Sequence, residues 1–356
     1  STSDNGVIIL EKKVLIAMSG GVDSSACASI ITSQKGLTAV GVTMKLLCNK
    51  ENNDFNDAKL VCEKLGIEHF IYDLSEQFEK HVIKYFVDSY LAGETPNPCI
   101  ECNKHLKFGE LFKIADQLSC RYISTGHYAR VEYNKNSGKY FLKKAVDHKK
   151  DQSYFLYALN QEQLSRVLFP IGNYSTKDEI RALAGKNSLS NAQKPDSQDI
   201  CFVENGKYIE FIENYTHTKQ KPGNMILSDG TIVGKHRGLA SYTVGQRRGL
   251  GVAYECPLYV CAKDIPNNNL ILGTLEQAYG TKCYVRDFNS DIYDFSIPRK
   301  VKAKIRSRHD EQSATAVLVD EKTLLLEFDE AQKSFSSGQA AVLYEDEYVI
   351  GGGTIV

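Results

Sequence analysis

A short unbroken apolar run, KVLIAM over 13–18, is the first clear pattern in the chain. A run of that length predicts a strand buried on both faces, as in a parallel sheet. Beyond a Gly- and Ser-rich turn, apolar positions recur with helical period over 26–33, and 37–44 returns to strand character. A helix over 56–65, closed by Gly66, and a strand over 67–73 repeat the alternation. Strand, helix, strand, helix, strand predicts a parallel sheet covered by helices. Helices are expected over 78–91 and 108–118, and a strand over 122–125. Residues 1–206 therefore read as one α/β domain. The stretch 207–277 is rich in Gly and Pro with little long periodicity, and is expected to be a small irregular linker domain. From 278 to 356 the pattern changes to short alternating stretches at 301–308, 314–319, 323–328 and 340–344, which predict a small β-barrel.

Bulk composition narrows the class without naming it. Hydrophobic residues at 42% and charged residues at 24% are those of a folded globular chain. No apolar run reaches about 18 residues, so no transmembrane helix or membrane partner is expected. The polar start, 1–6, lacks a signal-peptide pattern, and a cytoplasmic address is the expectation. The net charge of −1 means that any nucleic-acid surface must be a local basic patch. The chain has 10 cysteines, expected to be reduced in that compartment. Cys27, Cys48, Cys62, Cys120 and Cys261 sit in apolar or helical patterns and read as small core residues.

The strongest local signal is Ser19-Gly20-Gly21-Val22-Asp23-Ser24-Ser25, between a predicted strand and a predicted helix. Paired glycines let the backbone turn sharply and approach a ligand, and a helix N-terminus presents N–H groups to an anion. Asp23 suits a magnesium ion between carboxylate and phosphates. The G-x-x-x-x-G-K-[ST] loop is missing; the segment resembles instead the PP-loop, S-G-G-x-D-S, of ATP pyrophosphatases, which cleave ATP to AMP and pyrophosphate.

Three cysteines stand apart. Cys99 and Cys102 lie in TPNPCIECN, 95–103, where two prolines restrict the backbone before a helix. A thiol near a helix N-terminus with Lys104 and His105 close in sequence favours thiolate, so Cys102 is a candidate nucleophile. Cys201 follows acidic and polar residues in DSQDICF, 196–202. Alone, it reads more readily as an inert core cysteine than as a functional one. The spacing Cys99-x-x-Cys102 also suits a metal, and with Cys201 the three offer a ligand set for an iron–sulfur cluster.

Basic residues cluster in three places: Arg299, Lys300, Lys302, Lys304, Arg306 and Arg308; Lys143, Lys144, Lys149 and Lys150; and Arg247 with Arg248. The first alternates with Val301, Ala303 and Ile305, as on a half-buried strand turning cations toward phosphates. His127 follows a predicted strand, where ligands of open parallel sheets collect.

Taken together, AMSGGVDSS (17–25), TPNPCIECNKHLKFG (95–109), TGHYAR (125–130), KDQSYFL (150–156), DSQDICF (196–202), YTVGQRRGLG (242–251) and SSGQAAVLY (336–344) with the terminal GGG (351–353) resemble the tRNA-specific 2-thiouridylase family. The resemblance runs in order along essentially the whole chain. It implies that Ala17, Met18, Ser19, Gly20, Gly21, Val22, Asp23 and Ser24 cradle ATP, with Met44 and Gly126 against the adenosine. It implies Cys102 as nucleophile, Cys201 as persulfide carrier, and Asn97, Pro98 and Cys99 at the target base. His127, Lys150, Asp151, Gln152, Arg306, Ser307 and Gln339 would contact tRNA. The implied reactants are ATP with Mg2+, a tRNA with a wobble uridine, and a persulfide donor such as a cysteine desulfurase or relay protein. The implied chemistry closes with a Cys102–Cys201 disulfide. Many members carry Asp where this chain has Cys99, so a proton that Asp would handle needs another group here, or Cys99 itself takes part. A different PP-loop enzyme, such as an amide-forming synthetase, needs neither paired cysteines nor a basic barrel.

Overall fold

The computed structural model describes residues 12–47, 53–186 and 200–356. The chain forms two compact units, one of Ser1–Phe78 with Cys102–Asp196, the other of Glu79–Glu101 with Ser197–Val356.

In the first unit, β1 (Lys12–Ala17), α1 (Val22–Ser33), β2 (Leu37–Lys45), α2 (Asn53–Leu65) and β3 (Glu68–Asp73) alternate as the hydrophobic pattern predicts. The short helix α3 (Ser75–Phe78) ends this stretch. With β4 (Tyr122–Ser124) and β7 (Val167–Leu168) the strands make a parallel sheet in the order β3-β2-β1-β4-β7. Val14, Leu15 and Ile16 of the central strand are fully buried, each such side chain stabilising the fold by about 1.5–3 kcal/mol. Between β4 and β7 the chain makes an antiparallel hairpin, β5 (Ala129–Asn134) and β6 (Lys139–Lys144), which periodicity did not predict. The short helix α7 (Gln161–Leu164) precedes β7, and α8 (Lys177–Lys186) packs against α1.

The helical region around the paired cysteines is more broken than expected. A π-helical turn, Glu79–Ile83, precedes α4 (Lys84–Leu91); α5 (Pro98–Cys102) comes next, and a π-helical segment, Asn103–Glu110, runs into α6 (Leu111–Gln117). Pro98 occupies the first helical position, where its missing N–H costs nothing.

The small central domain expected after 207 is present, as an ordered sheet rather than irregular chain. Beyond α9 (Tyr208–Thr216), β8 (Gly223–Ile226), β9 (Ile232–His236), β10 (Tyr259–Asp264) and β11 (Asn269–Gly273) form a four-stranded sheet in the order β10-β11-β8-β9. It has its own core of Met225, Leu239, Tyr242, Leu250, Leu258, Val260, Leu270 and Leu272. Its strands are short and bulged, between Met225 and Ile226 and between Val260 and Ala262, which breaks the alternation a sequence reading relies on.

The last six strands are β12 (Tyr279–Asn289), β13 (Arg299–Lys304), β14 (Gln312–Leu318), β15 (Leu324–Lys333), β16 (Ala340–Glu345) and β17 (Tyr348–Ile355). They run antiparallel in the order β12-β15-β14-β13-β16-β17, and β12 also pairs with β17, closing the expected barrel. Alternate residues such as Val301, Ala303, Leu324 and Leu326 fill it.

Candidate active site

The Gly-rich loop leaves the C-terminal end of β1 where the sheet order turns, with β2 on one side and β4 on the other. Ligands of open α/β sheets bind at such a switch point. Gly20 takes a φ of 75°, a conformation open to glycine. The Ser24 hydroxyl donates to Gly21 O (3.1 Å) and the Ser25 hydroxyl to the same oxygen (2.8 Å), while Ser19 N donates to Ser24 Oγ (3.3 Å). These bonds shape the loop from within. Ser19 stays exposed, Gly21 and Asp23 are half-buried, and Gly20, Val22 and Ser24 are buried. Ala17 ends β1, and the buried Met18 pairs through its N–H with Val42 O (2.8 Å) and accepts from Thr43 Oγ1 (2.8 Å). Met44 is half-buried at the same end of β2.

The TGHY turn after β4 closes the other side. A Cβ on Gly126 would lie 3.1 Å from the Asp23 backbone and side chain and from Ser24 N, so any side chain there requires the loop to give by a few tenths of an ångström. Tyr128 donates its phenol to Asp23 Oδ1 at 2.8 Å. Gln152 braces Tyr128 twice: its amide oxygen accepts from Tyr128 N (2.9 Å) and its backbone N–H donates to Tyr128 O (2.8 Å). Asp151 accepts from Ala145 N (2.9 Å) and from the Ser153 hydroxyl (2.7 Å). Asp151 and Gln152 thus order the backbone behind the phosphate loop. Tyr128, given no role by sequence reasoning, is the link.

His127 is buried, with Nδ1 2.8 Å from Thr125 Oγ1 and its ring beside Phe108 and Phe169. Burial, with the nearby Lys107 cation, holds it well below the usual imidazole range. Cys27, on α1, donates to Thr125 O at 3.3 Å; burial first and the Asp23 carboxylate second push its thiol well up, leaving it protonated. Cys62 is pushed up to about 12 by burial and by Glu63. Cys120 is buried and Cys261 half-buried; Cys48 lies outside the described residues.

Cys102 is buried as the last residue of α5, and Cys99 is exposed three positions earlier. Cys102 thus stands at the end of a short helix continued by the π-helical segment, rather than at its start. The buried Asn103 donates to Phe155 O (3.0 Å), and its Oδ1 has no hydrogen-bond partner. Asn97 is half-buried and Pro98 buried. In the second unit Cys201 is exposed, while the next residue, Phe202, is buried against Phe86 of α4 (ring centroids 5.2 Å) and Phe211 of α9 (5.3 Å). Positions 196–199 lie outside the described residues. Among the described residues, no three His, Cys, Asp or Glu side chains are grouped to hold a metal ion.

On β13 the expected alternation is present: Lys300 and Lys302 point outward, Val301 and Ala303 inward. Lys300 pairs with Asp329 (2.7 Å), and Arg299 lies over the Tyr293 ring (3.9 Å). Arg306 donates to Ser336 Oγ (2.8 Å), Ser334 Oγ (3.2 Å) and Val244 O (3.2 Å). Gln339 donates to Thr95 O at 2.8 Å. Lys150 and Ser307 are half-buried.

A nucleotide-type loop at a sheet switch point, a second small sheet and a closed barrel define a multidomain α/β protein whose first domain is built to bind a nucleotide. Residues 12–205 match the family model described as the tRNA methyl transferase HUP domain, 209–274 its PRC-barrel domain, and 281–355 the aminomethyltransferase beta-barrel domain. The chain is 41% identical to the tRNA-specific 2-thiouridylase MnmA of Clostridioides difficile (strain 630), over 98% of this chain and 99% of that one. It is 42% identical to the protein of the same name from Acetivibrio thermocellus, over 97% and 99% of the two chains. A 4-thiouridine synthetase–RNA complex with bound ATP covers 54% of this chain and 45% of its own at 16% identity, with a TM-score of 0.35, too low to bear on function. The chain belongs to the tRNA-specific 2-thiouridylase family.

Proposed function

We propose that this chain is an ATP-dependent tRNA sulfurtransferase that makes 2-thiouridine at the wobble position. The observation carrying the reading is the phosphate loop at the β1–β4 switch point, with Asp23 held by Tyr128 and closed over by Gly126. The domain models bear a methyltransferase name and the relatives a thiouridylase name. Near-full-length identity favours the latter, as does a loop suited to ATP, which methyl transfer does not require.

The uracil C2 oxygen is a poor leaving group. Attack by that oxygen on the α-phosphorus of ATP releases pyrophosphate and leaves an adenylated carbonyl. Ser19 to Ser24 hold the phosphates, and Met44 and Gly126 border the adenosine. Asp23 carries the carboxylate and its neighbours the hydroxyls that suit Mg2+, which when bound would neutralise phosphate charge. The terminal sulfur of a persulfide on Cys201 then adds to C2, and AMP departs. Cys102 thiolate attacks the Cys201 sulfur, breaking the S–S bond to the base. The products are the C2 thione and a Cys102–Cys201 disulfide, which a two-electron reductant returns to thiols. Asn97, Pro98 and Cys99 line the place of the base, and the basic face of β13, with Arg306 and Ser307, serves tRNA, as does Lys150 in the first unit; the buried His127 braces the TGHY turn instead. A splayed-out loop base suits such a pocket. The persulfide comes from a desulfurase or relay protein. No step is assigned to an iron–sulfur cluster.

The test is thiolation of unmodified tRNA with ATP and a persulfide donor, read as 2-thiouridine and AMP by mass spectrometry. Cys102→Ala and Cys201→Ala are each expected to abolish 2-thiouridine while retaining ATP binding. Product from both variants at the wild-type rate would refute the scheme.

A further inference from the structure

The stretch between α4 and α5 is held from the barrel. Arg286 of β12 grips the Glu94 carboxylate through two parallel bonds, Nη1 to Oε1 at 2.8 Å and Nη2 to Oε2 at 3.1 Å. The pair is substantially covered, with side-chain exposure of 38% for Arg286 and 19% for Glu94. One residue on, Thr95 N donates to Ser337 O (2.8 Å) and Thr95 O accepts from the Gln339 side chain (2.8 Å). Both backbone groups of Thr95 are thus taken by the loop joining β15 to β16. Gly338 sits between these contacts with a φ of 90°, and a Cβ there would come within 2.8 Å of Glu94 Cβ and 3.1 Å of Thr95 N and O. The same loop is fixed behind by Arg306, which reaches Ser334 and Ser336 and also Val244 of the central domain. Two charge-assisted bonds, two backbone bonds and a side-chain-free approach converge on two residues.

Those residues end two positions before Asn97. Pro96 and Pro98 limit backbone freedom on either side of Asn97, so orientation imposed at Thr95 carries forward into α5. We propose that Arg286 and Gln339 are positioning residues for sulfur transfer: with the Ser337 carbonyl they clamp Glu94 and Thr95 and thereby set the loop Asn97–Cys99 and the helix that presents Cys102. The inference rests on the functional reading above and deepens it. It also gives Gln339 a role other than direct tRNA contact. A bidentate guanidinium–carboxylate pair fixes direction as well as distance, which a lysine at the same place does not.

Arg286→Met and Glu94→Gln should each lower kcat for thiolation about tenfold to a hundredfold, the scale of a small misplacement at a reacting centre. The KM for tRNA and the melting temperature should move little. In Arg286→Met, hydrogen exchange should quicken in the peptide spanning 92–97 and not in the barrel strands. Lys282→Met, which removes the exposed Lys282–Glu327 pair of β12 (3.4 Å), is the control and should behave as wild type. The inference is overturned if exchange of that peptide is unchanged, or if it quickens while kcat stays at the wild-type value. It is equally overturned if the loss falls on KM alone. A wild-type chain that makes no 2-thiouridine would sink the functional reading and with it the catalytic half of the clamp, whereas unchanged exchange beside an active wild type would sink the clamp alone.

Discussion

His127 shows how far a residue type carries and where it stops. Its place after a strand of the parallel sheet was legible; its burial, with Nδ1 on Thr125, depends on Phe108 and Phe169 arriving from distant parts of the chain. Burial lowers its affinity for a proton. The unfolded chain binds that proton near the ordinary imidazole value of about 6.5, and the folded chain does not. Stability is therefore full above that pH and falls as the pH drops below it, by up to ~1.4 kcal/mol per pH unit for this one group. Melting temperatures measured between pH 7.5 and pH 5.5 should decline less steeply in His127→Gln than in wild type; equal slopes would show that another group governs the decline. The phosphate loop was legible for the opposite reason, because its chemistry is local: strand, glycines, carboxylate and helix are consecutive. Tyr128, Glu94 and Arg286 were missed because each acts on a partner far away in sequence, 105 residues for Tyr128 and Asp23 and 192 for Arg286 and Glu94.

At the scale of elements, the parallel sheet tracks the hydrophobic runs closely, with β1, β2 and β3 ending within a residue or so of their predicted bounds. The apolar runs of β1 and β2 are buried along most of their length, whereas β3, at the sheet edge, leaves Phe70 and Ile71 exposed. The β5–β6 hairpin and the central sheet were unreadable because their strands are half-exposed or bulged, so neither period is clean. The π-helical segment after Cys102 buries Leu106 and Phe108 as an α-helix could, so its wider turns leave no mark of their own in the pattern. In the proposed reading, the turn between β4 and β5 borders the nucleotide. Gly126→Ala places a methyl group against Asp23 and Ser24, an overpacking of about 1–3 kcal/mol that the phosphate loop must absorb. The expected result is a rise of roughly tenfold or more in the KM for ATP, with the fold retained by circular dichroism. Unaltered ATP kinetics would mean that the TGHY turn does not border the nucleotide.

For the whole molecule, bulk charge was silent and pattern was informative. A net charge of −1 concealed the basic face of β13, and the closed barrel could be foreseen only from its evenly spaced short strands. What no pattern announced is that Glu79–Glu101 belongs to the same compact unit as Ser197–Val356. Phe86 and Tyr90 of α4 meet Phe202, Phe211 and Tyr208, and Glu94 meets Arg286. This segment lies inside the span 12–205 matched to the HUP domain, yet it packs with the C-terminal half of the chain. Expressed by itself, 12–205 should bind a hydrophobic dye and self-associate on sedimentation, where the full chain does neither.

The ribosome meets the same difficulty. Arg286 is made 192 residues after Glu94, a delay of roughly 10–40 s at ordinary elongation rates. The aromatic helix waits for part of that interval, until Phe202, Tyr208 and Phe211 have been made, and the Glu94 carboxylate waits for all of it. Premature release, or slowing of translation in the second half of the message, should cost this protein more yield than the same disturbance costs a chain whose domains finish in the order they emerge.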